Sequence, residues 1–142
     1  MTKIGAHIKR FFKISFAEKL LFFEAVFYLF TAKILLLIFP FKFCVRLMKC
    51  KNCRDTNMDL EYLKRIKSAL HRANKLAFWK NICLVQSVAA RWMLQRRNIA
   101  SQFSLGVAHD KNKKVIAHAW VKVLDFEITH KGNDYKELIN FR

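Results

Sequence analysis

The residues of this chain best suited to chemistry are one cysteine and one histidine. Cys83 is predicted to lie in the first turn of a helix, where free N–H groups and the helix dipole favour a thiolate. His118 lies in the middle of a predicted strand, AHAWV, which can bring its imidazole against the start of a preceding helix. A histidine in that position accepts the thiol proton, so the pair predicts acyl transfer through a thioester. Taken alone, a small core cysteine and a half-buried, hydrogen-bonded histidine explain the same pattern.

The hydrophobic pattern predicts the helices that would position Cys83. An apolar helix covers residues 20–39 and ends at Pro40, and a short basic helix follows to about Met48. Apolar residues then recur at helical spacing over residues 59–79, and again from Cys83 to about residue 97. Cys83 therefore begins the last of about four helices.

A change in the hydrophobic pattern after these helices predicts strands, one of which carries His118. The segments SQFSLGVA and KVIAHAWVKV alternate in polarity, are rich in β-branched residues and are separated by the turn HDKNKK. The segment LDFEI closes a second hairpin into a third strand. We expect an α+β fold, with N-terminal helices followed by a small antiparallel sheet. Residues 1–54 form an apolar, basic helical segment and residues 55–142 form the catalytic core, together one compact unit.

Composition limits the class of protein and its partners. A chain of 142 residues with 54% apolar residues has the length and core material of one ordered domain. Its net charge of +17 attracts anionic lipid, nucleic acid or an acidic peptide. No nucleic-acid recognition motif accompanies the charge, so no nucleic-acid partner is expected.

The apolar helix has the length of a membrane span but an ambiguous composition. Residues 20–39 contain Glu24 and Lys33, and the favourable and unfavourable insertion energies nearly cancel. Basic residues flank both ends, so no orientation is favoured. We expect residues 16–39 to pack on the protein's own core or to contact a membrane surface without spanning it. The predicted location is the cytoplasm, with membrane association as an option.

All four cysteines are predicted to be reduced thiols, since no secretory signal accompanies them. Cys44, Cys50 and Cys53 with His71 would make an incomplete zinc site, because a second close pair of ligands is missing. No metal and no cofactor is expected.

Several short motifs are similar to one enzyme family. They are Trp79, Cys83, Leu84 and Ser87 at their mutual spacing, RRNI at 96–99, SLGV at 104–107 and AHAWVKV at 117–123. Together with the apolar lead-in segment they resemble the transglutaminase-like cysteine peptidase of lasso-peptide biosynthesis, the stand-alone leader peptidase or B protein. The resemblance implies a papain-like core in which Cys83 attacks the bond between leader and core peptide. His118 would act as base and then as acid, and the N–H of Cys83 would help to hold the oxyanion.

The resemblance also implies partners. The substrate would be a precursor peptide, a separate protein would recognise its leader, and a macrolactam synthetase would close the ring on the released core peptide. Two other functions remain open from the residues. The same pair could serve an acyltransferase or deamidase, or the chain could be an inactive, basic, membrane-associated adaptor.

The third catalytic residue departs from the family's pattern. The family usually places an aspartate about twelve positions after the histidine, where this chain has His130. Some acceptor must fix the far N–H of the imidazole. The candidates are His130, Asp134 or Asn133, and Asp125 in the hairpin turn. Trp79 and Trp120 flank the catalytic candidates and would either shape a substrate cleft or belong to the core.

Overall fold

A computed structural model describes residues 2–55, 59–76, 83–132 and 135–142. Its helices are α1 (Thr2–Lys13), α2 (Phe16–Ile38), α3 (Phe41–Met48), α4 (Leu60–Leu76) and α5 (Cys83–Arg96). Its strands are β1 (Gln102–His109), β2 (Val115–Val123), β3 (Phe126–Glu127) and β4 (Lys136–Phe141). The predicted α+β class, helices followed by a small antiparallel sheet, is confirmed.

The boundaries of the helices follow from local chemistry. The hydroxyl of Ser15 accepts the N–H of Glu18 and caps the start of α2. Phe39 adopts an extended conformation because it precedes Pro40, and this ends α2. A carboxylate oxygen of Asp59 accepts the N–H of Glu61 at the start of α4. Asn98 then takes a positive φ of 55° and turns the chain from α5 towards β1.

The sheet has the order β3-β2-β1-β4, and each neighbouring pair is antiparallel. In the register of β1 and β2, Gly106 lies opposite His118 and Ser104 lies opposite Trp120. Two elements were not predicted. Gly5 lowers the helix propensity of α1, and β4 is almost entirely exposed and so lacks an alternating pattern.

The core lies between the helices and one face of the sheet. Residues of α2, α4 and α5 form one cluster with Ala119 and Val121 of β2. Because successive strand side chains point to opposite faces, His118 and Trp120 project from the other face of the sheet. The core therefore joins the apolar helix α2 directly to α5, the helix that begins at Cys83.

An ion pair fixes α2 to the rest of the domain. The carboxylate of Glu24 accepts two hydrogen bonds from the guanidinium of Arg97, at 2.6 and 2.7 Å, and Arg97 also donates to the hydroxyl of Tyr62. The hydrogen bonds that Arg97 donates to Glu24 raise the pKa of Arg97 above its ordinary value. Within the described residues, α2 is the helix long and apolar enough to cross a membrane, yet its inner face belongs to the core.

The expectation of four reduced thiols is wrong for two of them. Cys50 and Cys53 form a disulfide, because the three-residue spacing after α3 brings their Cα atoms to 5.5 Å. Cys44 and Cys83 are free, and burial raises the pKa of the Cys44 thiol. Within the described ranges, no cluster of three or more metal-binding side chains occurs.

Candidate active site

Cys83 lies against the strand that carries His118. It is the first residue of α5, and its thiol donates to the main-chain oxygen of Ala117 over 3.9 Å. That oxygen belongs to the peptide unit that joins Ala117 to His118. At the edge of β2, the thiol of Cys83 thus lies beside the backbone of His118.

The imidazole of His118 is held by a main-chain group. Its Nε2 atom lies 2.5 Å from the carbonyl oxygen of His130. A carbonyl oxygen can only accept a hydrogen bond, so Nε2 carries the proton in the neutral ring. The lone pair is then on Nδ1, and this is the tautomer in which Nδ1 acts as a base.

His130 therefore orients His118 through its backbone and not through its side chain. Its side chain was one of the candidate acceptors, but the acceptor in the structure is its backbone carbonyl. Its imidazole is exposed, and Nδ1 lies 3.1 Å from a carboxylate oxygen of Glu127. Asp125 is exposed in the turn between β2 and β3, and Asn133 and Asp134 lie outside the described residues.

A buried hydroxyl network fixes the segment that presents the His130 carbonyl. The hydroxyl of Ser87 donates to the oxygen of Ala119 over 2.9 Å and lies 3.0 Å from the hydroxyl of Thr129. Since the Ser87 proton is already used, Thr129 donates to Ser87, and its oxygen accepts the N–H of Val121 over 2.8 Å. Every hydroxyl proton in this network has an acceptor. The network joins α5, β2 and the segment before His130.

Sequence reasoning assigned no role to either hydroxyl. Ser87 lies four residues after Cys83 and so on the same side of α5, one turn further along. A serine on the core-facing side of a predicted helix is the signal that could have pointed to a partner across the core. Thr129 carried no comparable signal, because it follows the predicted strand LDFEI and the pattern assigns its side chain to no face.

Aromatic rings support His118 on the outer face of the sheet. Its ring stacks on Tyr135 with centroids 4.7 Å apart, and on Trp120 at 6.1 Å. Gly106 makes room for this arrangement, because a Cβ there would lie 2.8 Å from both the Trp120 ring and the oxygen of Lys136. The glycine opposite the histidine is thus required by the packing of Trp120.

Of the two predicted cleft residues, Trp120 is described and Trp79 lies outside the described residues. Trp120 is 2% exposed, with the ammonium group of Lys131 5.5 Å from its ring. It lines a cavity of about 240 Å³. The other walls of this cavity are basic or acidic side chains: Lys122, Asp125, Glu127, Lys131 and Glu137. Trp120 therefore combines a packing role with a place beside a polar cavity on the face that carries His118.

Comparison with known proteins gives one family. A family model described as the transglutaminase-like superfamily matches residues 27–139, a range that contains Cys83, His118 and His130. No curated protein matches the chain, and no solved structure does. The match starts inside α2 and ends inside β4, so it covers most of the domain.

Proposed function

Because this chain belongs to the transglutaminase-like superfamily, we propose that it is a cysteine peptidase that removes the leader from a ribosomally synthesised, lasso-type precursor peptide. Members of this superfamily are generally cysteine-based enzymes. The observation that carries the proposal is the position of the Cys83 thiol beside the peptide unit of His118, whose ring is oriented by the His130 carbonyl. The substrate is inferred from the motifs around these residues, which resemble those of the lasso-peptide leader peptidase.

The first half of the reaction forms a thioester. His118 takes the thiol proton on Nδ1, and the thiolate of Cys83 attacks the carbonyl carbon of the last leader residue. This step requires the sulfur to come within about 3 to 5 Å of Nδ1. The N–H groups at the start of α5 have no helical acceptors and can hold the oxyanion. The tetrahedral intermediate then collapses, and the imidazolium gives its proton to the leaving nitrogen of the core peptide.

The second half of the reaction releases the leader. Water loses a proton to Nδ1 of His118 and attacks the thioester carbon, and the leader departs with a new carboxyl group while the thiol is restored. The core peptide has already left with a free N-terminal amine. That amine is the group that a macrolactam synthetase needs, so this synthetase is the proposed next enzyme.

A separate leader-recognition protein is the other proposed partner. The helices and the sheet of the described residues share one core. The fold therefore does not need an element from the recognition protein. We expect the recognition protein to deliver the precursor to the edge of β2 beside Cys83, and not to supply a missing part of the fold.

Leader cleavage can be tested directly by mass spectrometry. The chain is incubated in H₂¹⁸O with a precursor peptide and recognition protein from the same gene neighbourhood. We expect a free core peptide and a leader with one ¹⁸O atom in its new carboxyl group. Cys83→Ala should abolish both products, and Cys44→Ala is the matched control that should retain them. A leader bonded to an added amine, or a deamidated side chain, would instead assign the site to acyl transfer or deamidation.

A further inference from the structure

Helix α2 presents a continuous apolar stripe to the outside of the domain. Seven large apolar side chains repeat at alternating intervals of four and three residues, and each is at least 36% exposed. This spacing places them on one face of the helix. The members of this exposed stripe are Phe16, Leu20, Phe23, Phe27, Phe30, Ile34 and Leu37. At 1.5 Å per residue, the stripe is about 31 Å long.

The opposite face of α2 is already occupied by the domain. Ala25, Leu29 and Ala32 have no exposed surface and pack in the core, and Glu24 is paired with Arg97. Moving α2 across a bilayer would strip these contacts and carry a carboxylate into hydrocarbon. In the folded protein the stripe can therefore meet a membrane only with the helix parallel to its surface.

Exposed apolar residues continue beyond both ends of the stripe. Phe12 of α1 is 73% exposed, and Phe39, Phe43 and Leu47 lie after the end of α2 with 37–41% exposure. Phe39 and Phe43 stack on each other at 4.7 Å. The apolar surface thus continues past both ends of α2, beyond the single helix whose 3.5-residue repeat a coiled-coil partner would cover.

Charge distinguishes between the candidate occupants of this surface. Residues 1–54 contain 11 lysines and arginines against Glu18 and Glu24, and Glu24 is already paired. Exposed cations stand before the stripe at Lys9, Arg10 and Lys13, and after it at Lys42 and Arg46. A second copy would bring the same positive charge against it, whereas anionic lipid headgroups complement it. Apolar side chains flanked by lysine and arginine are typical of helices that lie in a membrane interface.

We propose that the exposed stripe is a docking surface for anionic phospholipid membranes, with α2 lying in the plane of the interface. The inner face of α2 remains in the core while the phenylalanines enter the boundary between headgroups and acyl chains. The cations at both ends contact the phosphates. This inference is independent of the proposed peptidase activity, because it uses none of the residues around Cys83.

Vesicle co-sedimentation tests the docking surface. The full chain is mixed with vesicles of phosphatidylcholine containing about one-third phosphatidylglycerol, and with vesicles of phosphatidylcholine alone. We expect binding to the anionic vesicles, weakened at least tenfold by removal of phosphatidylglycerol. The double variant Phe23→Ser, Phe27→Ser should lose at least tenfold in partitioning. The control is Leu76→Ser, Leu138→Ser, which removes equally exposed apolar residues elsewhere and should bind like the wild type.

A charge variant keeps the test decisive if the serine variant does not fold, as judged by circular dichroism. Lys9→Gln, Lys13→Gln leaves the stripe intact and should weaken binding several-fold, to anionic vesicles only. Absence of binding to anionic vesicles would overturn the proposal. So would a dimer in light scattering that the Phe23→Ser, Phe27→Ser variant dissociates, because the stripe would then pair with a second copy. Resistance of the bound protein to alkaline carbonate extraction would show a spanning helix and contradict a parallel one.

Discussion

The Nε2 atom of His118 lies 2.5 Å from the main-chain oxygen of His130, so the backbone, and not a side chain, orients the imidazole. Any residue at position 130 offers that oxygen. The identity of the side chain there matters only if it changes the path of the chain. The orientation of the His118 imidazole therefore does not depend on the side-chain chemistry of residue 130.

His130→Ala should therefore retain leader cleavage within roughly threefold of the wild-type kcat/KM, as expected for an exposed side chain. Removing its imidazole also removes the contact with Glu127, which is at the surface. Steady-state kinetics on the precursor gives the comparison. A loss of about 100-fold or more in kcat would instead give the imidazole the orienting role.

Thr129→Val should be much more damaging than His130→Ala. It leaves the N–H of Val121 without its acceptor and the hydroxyl of Ser87 without its donor, at a cost of about 1–3 kcal/mol in the free energy of unfolding. Because the segment that presents the His130 carbonyl then shifts, we expect kcat to fall more than KM rises. Thr129→Ser restores the hydroxyl and should recover most of kcat. Equal kcat values for the Val and Ser variants would show that the network does not position His118.

Alkylation of the native protein should label a single cysteine. Cys83 is partly exposed, Cys50 and Cys53 are joined, and Cys44 is buried with a raised thiol pKa. A raised pKa lowers the fraction of thiolate at any pH below it, and the thiolate is the species that reacts. Without reductant, iodoacetamide at pH 7.5 to 8 should therefore give about one adduct per chain, on Cys83. Peptide mapping that finds the adduct on Cys44 would contradict this reading of the two thiols.

Gly106→Ala should lower activity through Trp120. The added methyl group would lie 2.8 Å from the tryptophan ring and from the oxygen of Lys136, so the ring that stacks on His118 and the backbone at Lys136 must both shift. We expect a destabilisation of about 1–3 kcal/mol and a reduced kcat. Gly5→Ala is the control, because a Cβ at residue 5 meets nothing within 4 Å. Denaturant unfolding and precursor kinetics on both variants measure the difference, and equal behaviour would show that the sheet adjusts without displacing Trp120.

Glu24→Gln should destabilise the domain by about 2–4 kcal/mol, because it leaves the guanidinium of Arg97 without a counter-charge in a setting where only 19% of the arginine side chain is exposed. Glu61→Gln is the matched control, since it breaks an exposed pair with Lys64 and should cost less than about 1 kcal/mol. Urea unfolding compares the two. Equal changes would mean that the Glu24 pair contributes no more than a surface pair.

The sequence predicted those parts of the fold that have local signals. Pro40 marks the end of α2, and the alternating residues of β1 and β2 mark the hairpin. The strand β4 could not be found in the same way, because its partner β1 lies about 30 residues earlier and its own side chains are exposed. Pairing across such a distance is fixed by the assembled sheet and leaves no periodic signature.

The candidate site could likewise be predicted only in part from the sequence. Cys83 and His118 were identified from residue type and position, and the structure places the Cys83 thiol beside the peptide unit that precedes His118. The carbonyl that orients His118 could not be predicted, since every residue has one. The partner of Glu24 could not be predicted either, because Arg97 lies 73 residues later, just after the end of α5. A charge in an apolar run indicates a buried partner, but the sequence does not say which one.

The pairing of Glu24 with Arg97 has a consequence for the order of synthesis. The ribosome makes α2 first, and Arg97 follows 73 residues later. At about 5–20 residues per second, Glu24 waits roughly 4–15 seconds for its counter-charge and for the helix α5 that packs on the inner face of α2. During that interval the inner face of this apolar 23-residue helix is not yet covered by α5. Factors that bind nascent hydrophobic segments meet α2 before its own domain can, so the speed at which residues 39–97 are translated helps to decide between folding and misdirected insertion.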